Sequence, residues 1–132
     1  MIDKIDHIGV AVHNLDDALN FYQNQLELEC GGVEEVPDQK VKVAFIPVGE
    51  SNIELLEPTT SDSPVKKHLE KKGSGVHHVA MHVEDLEKSL EDLKNKGVRL
   101  IDEEPRDGAH GAKIAFIHPK STGGILLELC QK

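Results

Sequence analysis

The sequence predicts an α+β fold in which two βαβββ modules pack into one curved mixed sheet. Three observations predict it. One strand is written twice, as KIDHIGVAV at residues 4–12 and GVHHVAMHV at residues 75–83, with His7 and His78 at the same place in each copy. Each copy leads to a helix start at the same distance, because His7 to Asn14 and His78 to Asp85 are both seven residues. Each helix is then followed by three strand-like runs.

The elements follow in order. Asn14 is the expected N-cap of the first helix, and Ala18, Leu19, Tyr22 and Leu26 repeat at helical spacing behind it. Strand-like runs at 28–36, 40–48 and 52–57 complete the first module. Ser63, Pro64 and Val65 open a short linking helix through Lys72, with Pro64 in its first turn. Gly73, Ser74 and Gly75 form a hinge. In the second module Asp85 is the N-cap, Leu86, Leu90 and Leu93 make the apolar stripe, and Gly97 stops the helix. Runs at 99–104, 112–118 and 124–131 close it. A unit of this size buries little apolar surface alone, so residues 1–132 are expected to form one domain. Its parts are module one (about 1–60), the linker helix (about 63–72) and module two (about 75–132).

Composition narrows the function classes. With 38% hydrophobic and 30% charged residues the chain is globular. No apolar run approaches the roughly 18 residues of a membrane span, and MIDK at the start leads into a strand without an apolar signal core. A cytoplasmic protein with no membrane partner is expected. Cys30 and Cys130 are too few for a disulfide framework. The net charge of −9 argues against nucleic acid, whose binding rewards basic surfaces. It leaves room for an anionic small ligand held by local lysines.

Strand alternation places the histidines. His7 shares a face with Ile5, Gly9 and Ala11, and His78 shares one with Val76, Ala80 and His82. The opposite faces, Ile8, Val10 and Val12 and then His77, Val79, Met81 and Val83, are expected to meet the helices. The small residues beside His7 and His78 leave space for a cleft. Each module also closes on an apolar strand with a carboxylate inside it, Glu54 in NIELLE and Glu128 in ILLELC. An unpaired charge there is costly. The economical arrangement is for His7, Glu54, His78 and Glu128 to share a divalent cation, whose charge two carboxylates neutralise. Nitrogen and oxygen donors without thiolate suit cobalt, manganese, nickel, iron or zinc. Four protein ligands on an octahedral ion leave two positions for a bidentate ligand. His13, His68 and His118 fall by turns or on the linker helix and are expected in solvent, His77 points away from His78, and His82 lines the cleft face. His110 lies in DGAHG, where glycines permit close backbone approach to a ligand.

On these metal positions, and on VKVAFIPVGESNIELLEP, SGVHHVAMHVEDL and GAHGAKIAFIHPKSTGGILLEL, the chain resembles the vicinal oxygen chelate superfamily. Within it, the whole length looks like the methylmalonyl-CoA epimerase family. The resemblance implies a vicinal oxygen chelate fold with a metal-binding cleft, and His7, Glu54, His78 and Glu128 as metal ligands. It implies a divalent ion, cobalt first, with manganese, nickel or zinc as alternatives. The implied reaction is 1,1-proton transfer on methylmalonyl-CoA through a metal-stabilised enolate. One of the family's two proton-transfer groups maps to Glu128. The other, a glutamate in the family, maps to the loop at Asp38, one methylene shorter, with Glu34 or Glu35 as neighbours that could serve. His110, Gly111, Lys113 and Lys40 are the candidate substrate-binding residues, and Lys120 is a further candidate at the coenzyme A end. A homodimer is implied, as is a place in propionate metabolism. A glyoxalase I-like lyase acting on a thiol hemithioacetal is the alternative. An extradiol dioxygenase would need the coordination position that Glu54 fills. A metal-free binding protein on the same scaffold would have no use for the four ligands.

Overall fold

The computed structural model describes residues 2–132; Met1, the first residue of the expected module one, lies outside them. The elements are β1 (Ile2–Ala11), α1 (Leu15–Leu19) continued by a π-helical turn (Asn20–Gln25), β2 (Gly32–Val36), a 3-10 turn (Pro37–Gln39), β3 (Val41–Val48) and β4 (Ser51–Pro58). After them come α2 (Pro64–Lys72), β5 (Gly75–Val83), α3 (Leu86–Asn95), β6 (Arg106–Asp107), a 3-10 turn (Ala109–Gly111), β7 (Lys113–Ile117), α4 (Pro119–Thr122) and β8 (Leu127–Gln131). The strands form one eight-stranded mixed sheet, and the fold is α+β.

Two compact units divide the chain. The N-terminal unit is His7–His77, and the C-terminal unit is His78–Lys132 together with the segment ending at Asp6. In the N-terminal unit the strand order is β2-β3-β4-β1, with β1 parallel to β4 and the other pairs antiparallel. In the C-terminal unit β5 runs parallel to β8, which pairs antiparallel with β7, and β6 follows at the edge.

Each unit buries one sheet face under its helix, as strand alternation predicts. In the N-terminal unit Val10, Val12, Ala44, Ile46, Ile53 and Leu55 pack against Leu15, Ala18, Leu19 and Tyr22. In the C-terminal unit Met81, Val83, Ala115, Ile117, Leu127 and Leu129 pack against Leu86, Leu90 and Leu93. Both caps form: the Asn14 side chain accepts from the Asp17 amide at 2.9 Å and that of Asp85 from the Lys88 amide at 3.1 Å. Gly97 takes φ +80 past the end of α3, the left-handed conformation a helix stop requires.

Two expectations need correction. The first helix is not α-helical throughout. The Leu26 amide bonds to the Phe21 carbonyl, five residues back. That wider turn rotates Leu26 off the apolar stripe, and it is 49% exposed. The second correction concerns residues 99–104, which are not a strand. Only Leu100 makes a bridge, to Ile117, and the edge strand is Arg106–Asp107 instead. The cause is local. The Asp102 carboxylate accepts the Phe116 amide at 2.9 Å, so a side chain takes the place of a strand carbonyl. The runs at 28–36 and 124–131 also shorten, to Gly32–Val36 and Leu127–Gln131.

Candidate functional site

Each unit carries one buried imidazole–carboxylate pair. In the N-terminal unit His7 Nδ1 lies 3.1 Å from Glu54 Oε2. In the C-terminal unit His78 Nε2 lies 3.3 Å from Glu128 Oε1. All four residues are at least nine-tenths buried. Sheet register explains how. On parallel neighbours, Gly9 stands beside Glu54 and Ala80 beside Glu128, each two residues after its histidine on the same face. A small residue at that place lets the carboxylate lean along the strand to the imidazole. A leucine there would stand between them.

Among the described residues no buried side-chain nitrogen or oxygen lacks a partner. In each pair the imidazole and the carboxylate answer one another. Each pair offers an imidazole nitrogen and a carboxylate with no thiolate, donor chemistry that suits a first-row or similarly hard divalent ion. The nearby Cys130 does not add a thiolate, because burial, then Asp6 and Glu128, push its thiol well above the ordinary range.

Comparisons with known proteins identify the family. The family model of the glyoxalase/bleomycin resistance protein/dioxygenase superfamily matches residues 6–116. The chain belongs to this superfamily. It is 49% identical to the uncharacterized protein YqjC of Bacillus subtilis, over 98% of this chain and 93% of that one. It is 40% identical to the ethylmalonyl-CoA/methylmalonyl-CoA epimerase of Cereibacter sphaeroides, over 99% of each chain. It is also similar in structure to a variant of Streptomyces coelicolor methylmalonyl-CoA epimerase in complex with 2-nitronate-propionyl-CoA. That match has a TM-score of 0.96 and 40% identity and covers 100% of this chain and 96% of that one.

On this superfamily scaffold the remaining sequence candidates fall as follows. Asp38 is exposed on the 3-10 turn after β2. Glu34 is half-buried on β2 opposite Val43, and by alternation it shares the face of His7 and Glu54. Lys40 takes φ +58 and pairs with Asp62. Lys113, in the other unit, pairs with Asp107. His110 and Gly111 both have positive φ, 55° and 71°, at the turn leading into β7. Gly108 before them is required by close approach, since a Cβ there would sit 2.8 Å from Ile114 Cγ2.

His82 lies on the face of Ala80 and Glu128, and its Nδ1 lies 2.9 Å from Asp3 Oδ1 at the partly exposed end. His118 caps α4 by accepting the Lys120 amide, and His68 meets His77 edge to face at 5.0 Å.

Sequence reasoning missed a second set of tethers. Glu57 accepts the Leu15 amide at 2.8 Å, and Gln131 accepts the Leu86 amide at 2.7 Å. Both lie three residues after the module's carboxylate and hold the first helical amide. The same offset in NIELLE and LELCQ was the signal that could have found them. Asp6, 2% exposed and held by Lys132 at 3.1 Å, gave no such signal.

Proposed function

We infer that the chain is a methylmalonyl-CoA epimerase, an isomerase that interconverts the (2R) and (2S) forms by moving a proton at the carbon between thioester and carboxylate. The observation that carries this is the 40% identity to an epimerase over 99% of both chains, with the paired imidazole–carboxylate groups buried in each unit. We propose further that His7, Glu54, His78 and Glu128 hold one divalent ion, cobalt being the first candidate. The support is the duplication itself, which sets the same two donors at the same register in each unit.

A divalent ion bound there supplies Lewis-acid stabilisation to the enolate as its charge develops. The chain's own residues do the rest. The Glu128 carboxylate takes the α-proton on one face of the substrate and returns it in the reverse direction. Inversion needs a second group on the other face, and we assign it to Asp38. Glu34, on the same sheet face as Glu54, is the competing carboxylate. His110, Gly111, Lys113 and Lys40 receive the substrate, and the two lysines lie in exposed ion pairs that a phosphate can displace at little cost. No helix of the described residues is long and apolar enough to cross a membrane. A homodimer working in the cytoplasm on propionate-derived thioesters fits this activity.

The test uses (2S)-methylmalonyl-CoA in heavy water, with and without added cobalt. The expected result is metal-dependent deuterium entry at the α carbon with appearance of the opposite epimer. Metal bound without exchange would reject the substrate, and a thiol hemithioacetal would then be tried for lyase activity.

A further inference from the structure

The C-terminal unit places one aromatic ring against His78, on the residue that stands across the ladder from Glu128. Phe116 stands directly across from Glu128 in the β7–β8 ladder. Its ring meets that of His78 edge to face, with centroids 5.6 Å apart and planes at 86°. The backbone of Phe116 is turned away from β8 and gripped on the other side. Its amide donates to Asp102 Oδ2 at 2.9 Å, and its carbonyl accepts from the Ile101 and Asp102 amides at 2.9 and 3.2 Å. Because both polar groups face 101–102, the Phe116–Glu128 pair is of the non-hydrogen-bonded kind, in which opposed side chains approach most closely. Asp102 is itself held by Arg106 at 3.5 Å.

We propose that Phe116, clamped by Asp102, is a positioning residue for the His78–Glu128 pair. An edge-to-face contact favours one ring orientation. It opposes the imidazole flip that would exchange the two nitrogens of His78, and so fixes which nitrogen faces Glu128. The same side chain walls Glu128 on its cross-strand side and leaves the carboxylate one direction in which to work. This rests on the epimerase reading for its kinetic consequence, and on geometry alone for its effect on His78.

The test compares Phe116→Leu, Phe116→Tyr, Asp102→Ala and Asp102→Asn. Tyrosine keeps the ring and asparagine keeps an acceptor oxygen, so both should behave as wild type. Phe116→Leu and Asp102→Ala should each lower kcat and cobalt affinity by about 10–100-fold, the usual effect of losing a group that orients a ligand, with little change in KM. Long-range nitrogen–proton spectra of the metal-free protein give a readout that needs no turnover. His78 should show one tautomer in wild type and a mixture in the two disruptive variants. Unchanged His78 signals with kcat within about twofold of wild type would overturn the proposal. If Phe116→Leu does not fold, Asp102→Ala decides, because it leaves the Phe116 ring in place and removes only the grip on its amide. If the unaltered protein fails to epimerise, the functional reading falls while the His78 spectra still judge the positioning role.

Discussion

In the N-terminal unit Glu54 sits on β4 with Phe45 across from it on β3, and beyond Phe45 lies an ordinary strand, whose Gly31–Gly32 end pairs with it. In the C-terminal unit Glu128 sits on β8 with Phe116 across from it on β7, and beyond Phe116 lies an irregular segment clamped by one carboxylate. The imidazole–carboxylate pair and its cross-strand aromatic are repeated, while the outer support is not. The two histidines also use different nitrogens, Nδ1 in His7 and Nε2 in His78. The residue types of the pair are the same in both units, while the ring nitrogen that faces the carboxylate and the scaffold behind it differ. Two carboxylates with different surroundings fit the proposal that Glu128 alone also moves a proton.

The largest effect should separate those carboxylates. Glu128→Gln should cut α-proton exchange by about 10²–10⁴-fold, the contribution of a general base, whereas Glu54→Gln, which keeps an oxygen donor, should lose far less. Equal losses in exchange rate would break the distinction between the units. Asp38→Asn should abolish inversion while leaving metal content intact, seen as exchange that returns the starting epimer. Normal turnover in that variant, with loss in Glu34→Gln, would move the second proton to β2.

Smaller effects sharpen the comparison of scaffolds. Ala80→Leu forces a side chain between His78 and Glu128 at a fully buried position and should cost about 1–3 kcal/mol in urea unfolding. Asn14→Ala and Asp85→Ala should each cost about 0.5–2 kcal/mol by the same measurement. The cost should be larger at α1, whose α-helical part is 5 residues against 10 in α3.

The smallest effect concerns Asp62. A hydrogen bond from Lys40, then one from Thr60, lowers its carboxyl to about 2 from 3.8. The folded value lies below the unfolded one, so the contribution is present above 3.8 and is lost as pH falls through about 2. The group is fully exposed, so the melting-temperature difference between wild type and Asp62→Asn should be slight near neutrality and vanish at the acid end.

The duplicated strand and the helix caps were legible because each is a local pattern repeated at one spacing. His7 and Glu54 are far apart in sequence, yet period-two alternation and an apolar surround place both on one face without any knowledge of pairing. What was not legible depends on which group a backbone amide chooses. The run at 99–104 has strand composition, but Asp102 captures Phe116 and displaces the pairing. Leu26 keeps helical spacing in sequence and loses it in the π-helical turn. Asp6 and Lys132 meet only because β1 and β8 enter the same unit.

That last arrangement has a cost in time. The first half of β1 is made before the strands of the C-terminal unit, yet it folds with that unit. Asp3 must find His82, 79 residues further on. At roughly 5–20 residues per second, a ribosome needs about 4–16 s to supply that partner. Through that interval the strand carries Ile2 and Ile5, still about half exposed in the finished fold, with no partner strand of its own unit. During that wait the first half of β1 is the part of the unit most open to wrong pairing.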